Sequence, residues 1–309
     1  MIDLSLGFDR CALCAQSSDL QSSHIIPSFV FRWLRDSSAT GHFRFSGAPN
    51  RRVQDGWKPR MLCSACEQRF AVWEKAFAEN CFDAILSGNA DRVRYQAWML
   101  KFATSVSWRV LCAFKAFGGL SGFPAHLVSA ADTAVDVWGE FLLDRRPHPG
   151  AHEQHMFLVD AVVSSTVSNM PTNINRYLLR AIEIYIAHTD DSVITYAKMG
   201  RFVLFGFVAM PHPRRWKGTK LNAKAGAFGV RNIELPAHIG DFVMDRARRA
   251  ANRYAGISAR QHAKIGESNL RDLDRAENSE TFRAMHHDVL LFGDEAFEVT
   301  RLKKKPNSD

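Results

Sequence analysis

The sequence predicts an α+β protein, on three observations. Two Cys-x-x-C pairs lie near the N-terminus, at Cys11–Cys14 and Cys63–Cys66. Apolar residues then recur at spacings of three and four, which is typical of helices. From residue 155 to 210, short runs rich in Val, Ile, Phe and Tyr alternate with turn residues, which indicates antiparallel strands. These patterns divide the 309 residues into segments 1–80, 81–146 and 147–309.

The two cysteine pairs predict a structural zinc site. A two-residue spacer lets both thiolates of a pair bind one ion, and two pairs complete a closed tetrahedral site. The predicted zinc ligands are Cys11, Cys14, Cys63 and Cys66. The second pair is followed by a helical pattern that places Phe70, Trp73 and Phe77 on one face. A knuckle, a hairpin and a second knuckle that begins a helix form the treble-clef layout. The alternative is four unrelated buried thiols.

The stretch from Cys11 to about Phe77 resembles the HNH endonucleases, also called the His-Me finger or ββα-metal family. The residues that carry this resemblance are the four cysteines, the Leu62-Cys63 pair and the run Ser23-His24-Ile25-Ile26-Pro27. The resemblance implies that His24 is the catalytic histidine. Three positions depart from the family pattern. Ser23 replaces an acidic residue, and Lys58-Pro59-Arg60 replaces an asparagine. Glu67 follows Cys66, at a position that often holds histidine or asparagine.

The resemblance implies an endonuclease that hydrolyses phosphodiester bonds of DNA, with bacterial defence as one setting. His24 would act as general base on a water molecule, and Mg²⁺ or Mn²⁺ would stabilise the developing charge. Glu67 is the candidate ligand for this catalytic ion, and the competing interpretation is that it complements the helix dipole. We expect Glu74 to lie on a solvated helix face. His24 could instead only support the hairpin, which gives the alternative of a catalytically silent, zinc-stabilised nucleic-acid-binding protein.

The charge distribution favours a nucleic-acid partner, with DNA preferred over RNA. The chain has 40 Lys and Arg against 32 Asp and Glu, a net charge of +8. Between residues 28 and 60 the cations outnumber the acids, and from 192 to 233 there is no acid at all. Within residues 192–233, one aromatic residue lies among cations, a composition that suits phosphate contact and base stacking. The predicted nucleic-acid contacts are Arg51, Arg52, Lys58, Arg60, Arg214, Arg215, Trp216 and Lys217. The alternative for residues 192–233 is a solvated loop with a packed Trp216.

The remaining elements follow from periodicity and turn residues. We expect helices over residues 91–117, 124–143 and 238–254. Strands are expected over residues 155–163, 181–188, 192–199 and 201–210, with the last three in a meander. The Arg145-Arg146-Pro147 stretch marks the boundary at residue 146. A domain within residues 150–260 that binds a small-molecule signal is a third functional hypothesis.

The composition also predicts a cytoplasmic protein without a membrane segment. Residues 1–10 contain two acids and no apolar stretch of signal length. The longest apolar run, residues 202–210, is far shorter than a bilayer span. Cys81 and Cys112 lie outside any ligand spacing, which is typical of buried thiols in a reducing compartment. The oligomeric state does not follow from the sequence.

Overall fold

A computed structural model describes residues 8–45, 47–229, 232–254 and 256–297. The fold combines helices with small antiparallel sheets, as the sequence predicts. The chain divides into two compact units. The first contains the N-terminal residues up to Val30, Gly56–Leu158 and Ile182–Leu235, and the second contains Phe31–Asp55, Val159–Ala181 and the residues from Pro236 onward. The division at residues 80 and 146 into separately folding domains stays a prediction.

The first unit begins with a short hairpin and a helix. Strand β1 (Leu20–Ser22) pairs antiparallel with β2 (Arg60–Cys63), and Leu20 lies opposite Cys63. Helix α1 (Ser28–Asp36) lies between these strands in the sequence. Helix α2 (Ser64–Phe77) follows β2 directly, which confirms the helix predicted after the second cysteine pair. It continues through a π-helical turn into α3 (Asp83–Leu86).

The helix predicted from residue 91 to 117 is wrong at its beginning. Residues Arg92–Gln96 form strand β3, and helix α4 covers only Trp98–Ala116. The side chains of β3 alternate between exposed and buried, a period of two that the longer helical pattern obscured. Helix α5 (Ala125–Leu142) agrees with its prediction.

A four-stranded antiparallel sheet follows. It contains β4 (Gln154–Leu158), β5 (Ile182–His188), β6 (Val193–Met199) and β7 (Phe202–Ala209), in the order β4-β7-β6-β5. The last three strands form the predicted meander. Strand β4 ends at Leu158, five residues earlier than expected. Strand β8 (Ala225–Gly229) lies outside this sheet and pairs antiparallel with β3.

Helix α4 packs closely against the sheet and fills the core of the first unit. A Cβ atom on Gly206 of β7 would lie 2.6 Å from the Ser107 hydroxyl of α4, so the helix can approach the strand only at a glycine. The Ser107 hydroxyl donates a buried hydrogen bond of 2.7 Å to the Gln154 side chain. Nearby, the rings of Phe77 and Phe102 are stacked with centroids 3.9 Å apart. This core therefore joins α2, α4 and the sheet.

The second unit is mainly helical. Its helices include α6 (Ile174–Arg180), α7 (Ala237–Tyr254), α8 (Ala259–Arg271), α9 (Leu273–Glu277) and α10 (Glu280–Phe292). Helix α7 was predicted, whereas no sequence pattern indicated α6. Tyr177, Leu178 and Ala247 form a buried apolar cluster within this unit. Among the described residues, no helix is long and apolar enough to cross a membrane.

Candidate metal centre and catalytic residues

The four predicted zinc ligands lie together in the first unit. The sulfur atoms of Cys11, Cys14, Cys63 and Cys66 are all within 4.8 Å of one another. The sulfurs of Cys14 and Cys63 are 3.7 Å apart. Four thiolates held about 2.3 Å from a central Zn²⁺ ion in a tetrahedron would be separated by about 3.8 Å. All four cysteines are free, so the cluster can hold a metal ion and is compatible with zinc.

Local backbone structure brings the two pairs together. The N–H of Cys11 donates to the carbonyl of Gln16, and Ala15 adopts a left-handed φ of 60° that turns the chain after Cys14. The second pair lies where β2 ends and α2 begins. Burial alone would raise the pKa of the Cys63 thiol, but hydrogen bonds from the Cys66 N–H and the neighbouring thiols lower it to about 7. Burial raises the pKa values of Cys14 and Cys66, so the shift toward the metal-binding thiolate form is found at Cys63 and not at these two thiols.

Ser23 and Glu67 are joined by a hydrogen bond across the hairpin and α2. The Ser23 hydroxyl donates to the Glu67 carboxylate over 2.7 Å, and Ser23 is fully buried. Glu67 is half-buried at the first turn of α2. The residue before His24 therefore contacts the residue that follows the last cysteine. These two positions depart from the HNH pattern, and the fold brings them together.

A buried arginine fixes the backbone at His24. Arg109 of α4 is 1% exposed, and its Nη1 donates to the His24 carbonyl oxygen over 2.6 Å. Its Nη2 lies 2.7 Å from the Glu74 carboxylate in an ion pair. The expectation that Glu74 lies on a solvated helix face is therefore wrong, because Glu74 supplies the countercharge for a buried guanidinium. Arg109 was not predicted, although a cation within the apolar run of α4 signals a required partner.

The described residues contain one group of three or more Cys, His, Asp or Glu side chains that is close enough to hold a metal, and it is the four-cysteine cluster. Asn50 lies in the loop before the second cysteine pair, and its side-chain amide is occupied within the second unit. Its Nδ2 donates to the Gly256 carbonyl and its oxygen accepts from the Ser258 N–H. Asp55 also belongs to the second unit. Glu67 is thus the acidic residue placed beside Ser23-His24.

The basic residues expected before the second knuckle are divided between the units. Arg51 and Arg52 belong to the second unit, where both are exposed and Arg52 donates to the Lys264 carbonyl. Lys58 and Arg60 belong to the first unit and are also exposed. The Nε of Arg60 donates to the carbonyl of Leu20 in β1. Their side chains are accessible, but they do not form one cluster within a unit.

The segment from Arg214 to Lys217 differs from its expected role at Trp216. Trp216 is 5% exposed and contacts the rings of His155, Phe205 and Phe207, so its faces are not accessible for base stacking. This result corrects the prediction and agrees with the alternative of a packed Trp216. Lys217 forms an ion pair with Glu234, an acid just outside the acid-free segment. Arg214 and Arg215 are exposed.

Comparisons of the chain with protein-family models, curated proteins and solved structures find no match. The resemblance to HNH endonucleases therefore depends on the residues of the N-terminal module. The geometry of that module supports a metal-binding four-cysteine cluster, and it places Ser23, His24 and Glu67 beside the same hairpin and helix.

Proposed function

We propose that the chain is an HNH-type, metal-dependent endonuclease that hydrolyses phosphodiester bonds of DNA. The treble-clef module would be held by zinc on Cys11, Cys14, Cys63 and Cys66. His24 would be the general base, and Glu67 would be the ligand for a catalytic Mg²⁺ or Mn²⁺. The hydrogen bond between Ser23 and Glu67 carries this proposal, because it brings the residues on either side of the expected active site into contact.

Glu67 can serve as a ligand for a hard divalent cation. Mg²⁺ keeps several water molecules and is commonly held by one or two carboxylates together with substrate phosphates. The Ser23 hydroxyl contacts one oxygen of Glu67, and each carboxylate oxygen has two lone pairs. When bound, the cation would stabilise the negative charge on the phosphate and on the leaving oxygen. One acidic ligand in the protein is thus sufficient only when the substrate supplies further oxygens.

His24 has the chemistry and the support that a general base requires. Its side chain is half-buried, and a neutral imidazole has a ring nitrogen that can accept a proton from a water molecule. Arg109 holds the His24 backbone through the 2.6 Å hydrogen bond to the carbonyl oxygen, and Glu74 holds Arg109. These contacts would fix the backbone from which the ring projects toward the scissile phosphate, and a fixed origin of the ring favours proton transfer. Arg109 is therefore a positioning residue in the proposal.

The decisive experiment measures cleavage of DNA by the purified chain with Mg²⁺ or Mn²⁺. His24→Ala should lower the rate by about 10² to 10⁴, the usual contribution of a general base, with zinc content and folding unchanged. His126→Ala is the matched control, because His126 is an exposed histidine of the same unit on α5. It should cleave like the wild type. Equal cleavage by wild type and His24→Ala would contradict the proposal.

A metal titration tests the role of Glu67. Glu67→Gln keeps an oxygen that accepts the Ser23 hydrogen bond but removes the charge, so the concentration of Mg²⁺ for half-maximal cleavage should rise. Glu79→Gln, an exposed glutamate later on the same helical stretch, should leave the titration unchanged. If Glu67 only complements the helix dipole, Glu67→Gln lowers stability by less than about 1 kcal/mol and leaves the metal titration unchanged.

The second candidate is a catalytically silent, zinc-stabilised nucleic-acid-binding protein. One observation favours it: within the described ranges, His24 and Glu67 belong to no group of three or more Cys, His, Asp or Glu side chains close enough to hold a metal. This candidate expects nucleic-acid binding with no cleavage above the His24→Ala background in either metal.

A further inference from the structure

Strands β3 and β8 form a two-stranded antiparallel ribbon whose two faces differ in chemistry. Arg92, Arg94 and Gln96 lie on the outer face and are exposed, whereas Val93 and Tyr95 lie on the inner face and are buried. The register places Arg94 opposite Ala227 and Gln96 opposite Ala225. The long polar side chains of one strand therefore stand beside methyl groups of the other, and nothing on β8 covers them.

The inner face fixes the ribbon to the first unit. A Cβ atom on Gly226 would lie 2.3 Å from the Tyr95 hydroxyl, so this position must be glycine for the ring to lie against the strand. The same hydroxyl accepts a hydrogen bond of 3.1 Å from the Asn222 N–H. On the outer face, Arg92, Arg94 and Gln96 stand beside the small side chains of Ala225 and Ala227. A rigid backbone thus presents the three polar side chains.

The two arginines of the ribbon are not neutralised. Neither guanidinium forms an ion pair or a hydrogen bond with any residue in the described part of the chain. By contrast, Lys101 forms an ion pair with Asp144, and Lys217 forms one with Glu234. Asp91 is the acid that directly precedes the ribbon. The outer face is therefore a positive surface available to an anionic partner.

We propose that this outer face binds duplex DNA, with Arg92, Arg94 and Gln96 in the major groove. The proposal rests on the proposed function, and it assigns the surface that would hold the substrate. A two-stranded ribbon is one of the elements that the major groove admits. Strands about 4.8 Å apart make a ribbon about 10 Å wide, and the major groove of DNA is about 12 Å wide.

The spacing of the side chains also fits a duplex. Residues on one face of a strand recur about every 6.7 Å, close to the rise of two base-pair steps, about 6.8 Å. Glutamine can bond adenine through two atoms, and the two arginines would contact phosphate oxygens at the edges of the major groove. The major groove of duplex RNA is deep and too narrow for side chains to read, so DNA is the partner that this face fits.

The ribbon is joined directly to the helix that holds His24. Strand β3 leads into α4, and Trp98 at the beginning of this helix is eleven residues before Arg109. At about 1.5 Å per residue this separation is about 16 Å, less than half of the 34 Å helical turn of DNA. A duplex of about 20 base pairs is therefore long enough to contact the ribbon and extend well beyond it.

The experiment measures binding of a fluorescent 20-base-pair DNA duplex to the full chain between 50 and 200 mM salt. Arg92→Ala with Arg94→Ala should weaken binding more than ten-fold and reduce the slope of log affinity against log salt by about 1.8, since each phosphate contact contributes about 0.9. Arg260→Ala with Arg271→Ala removes the same charge from exposed positions of α8 and is the matched control. It should leave both quantities near the wild type.

Conservative variants separate charge from base recognition. Arg92→Lys with Arg94→Lys should restore the salt slope of the wild type. If the alanine pair does not fold, this lysine pair still tests whether the charge of the ribbon's outer face sets the slope. Gln96→Ala should keep the slope but lose discrimination between duplexes that differ at A·T positions. A slope that does not change in the alanine pair, equal binding of an RNA duplex of the same sequence, or equal binding of polyglutamate would each overturn the proposal. Ribbon-dependent DNA binding without cleavage would instead leave this surface in place and remove the nuclease.

Discussion

Lys198 shows how burial of one side chain makes the stability of this protein depend on pH. It lies on β6, and none of its surface is exposed. Its Nζ donates a hydrogen bond of 2.5 Å to the carbonyl of Gly200 in the turn that follows the strand. Burial disfavours the charged form and lowers the pKa of Lys198 to about 7, although the charge of Glu183 opposes this shift.

We expect Lys198→Met to remove part of the pH dependence of unfolding. Between pH 7 and 10.5 the unfolded chain binds one more proton at this side chain than the folded chain, so the free energy of unfolding rises with pH by up to about 1.4 kcal/mol per unit. From pH 7.5 to 9.5, the wild type should gain on the order of 2 kcal/mol relative to Lys198→Met. Urea denaturation at both pH values measures this difference.

The control is Lys224→Met, which changes an exposed lysine. Because this variant leaves the buried Lys198 in place, it should gain stability with pH as the wild type does. Equal pH dependence in Lys198→Met and wild type would show that Lys198 remains charged in its buried position.

Individual residues of the candidate site differ in how far the sequence predicts them. The cysteines and His24 carry their chemistry in spacings of a few residues, which is why they could be named. Arg109 is 85 residues from His24, and it contacts the backbone rather than a side chain, so no local motif encodes the pair. Trp216 was misjudged because neighbouring cations suggested a surface role, whereas burial depends on the rings of distant strands.

At the scale of elements, local periodicity predicted α2, α5, α7 and the three-stranded meander. The three helices bury one face, and that face is visible in the order of residues, whereas β6 and β7 are buried on both faces and were found from their short runs rich in Val, Ile, Phe and Tyr. Strand β3 was assigned to a helix because its five residues are few and its partner β8 is more than a hundred residues away. Strand pairing over that distance leaves no trace in a single sequence.

Helix α6 depends on a carboxylate from another helix. Asp288 of α10 is fully buried and accepts hydrogen bonds from the backbone N–H groups of Asn175 and Arg176, over 2.7 and 3.2 Å. It also forms an ion pair of 2.7 Å with the Arg176 guanidinium. The first N–H groups of a helix have no partner within it, so Asp288 satisfies donors that would otherwise be buried without one.

Asp288→Ala should therefore lower the free energy of unfolding by on the order of 2 to 4 kcal/mol, because it leaves two backbone donors without an acceptor and removes the countercharge of Arg176. Thermal and urea denaturation measure the loss. Asp288→Asn keeps one acceptor oxygen and should lose less. Asp294→Ala changes an exposed aspartate of the same unit and should stay within about 0.5 kcal/mol of the wild type. A loss for Asp288→Ala as small as that of Asp294→Ala would contradict this role.

At the scale of the whole molecule, the four-cysteine cluster belongs to one of the two units. Cys11, Cys63 and Cys66 are part of the same apolar core as Phe70 and Trp108. Loss of the ion would leave four thiols close together in that core and would release the N-terminal loop from β2 and α2. The second unit has its own buried cluster around Tyr177 and Ala247. Metal binding and folding should therefore be coupled mainly within the first unit.

We expect the purified chain to contain about one zinc per molecule, because a closed site of four thiolates binds zinc with on the order of 10 kcal/mol or more. Removal of the metal with a chelator should speed amide hydrogen exchange in residues 8–30 and 56–77 and leave α6 and α10 near their original protection. Zinc added back should restore the slow exchange. Cys63→Ser should show the fast pattern without chelator, whereas Cys81→Ser, a buried cysteine outside the cluster, should keep its zinc. Exchange that rises equally in both units would contradict the coupling, and a chain without zinc whose cysteines form disulfides would contradict the metal site itself.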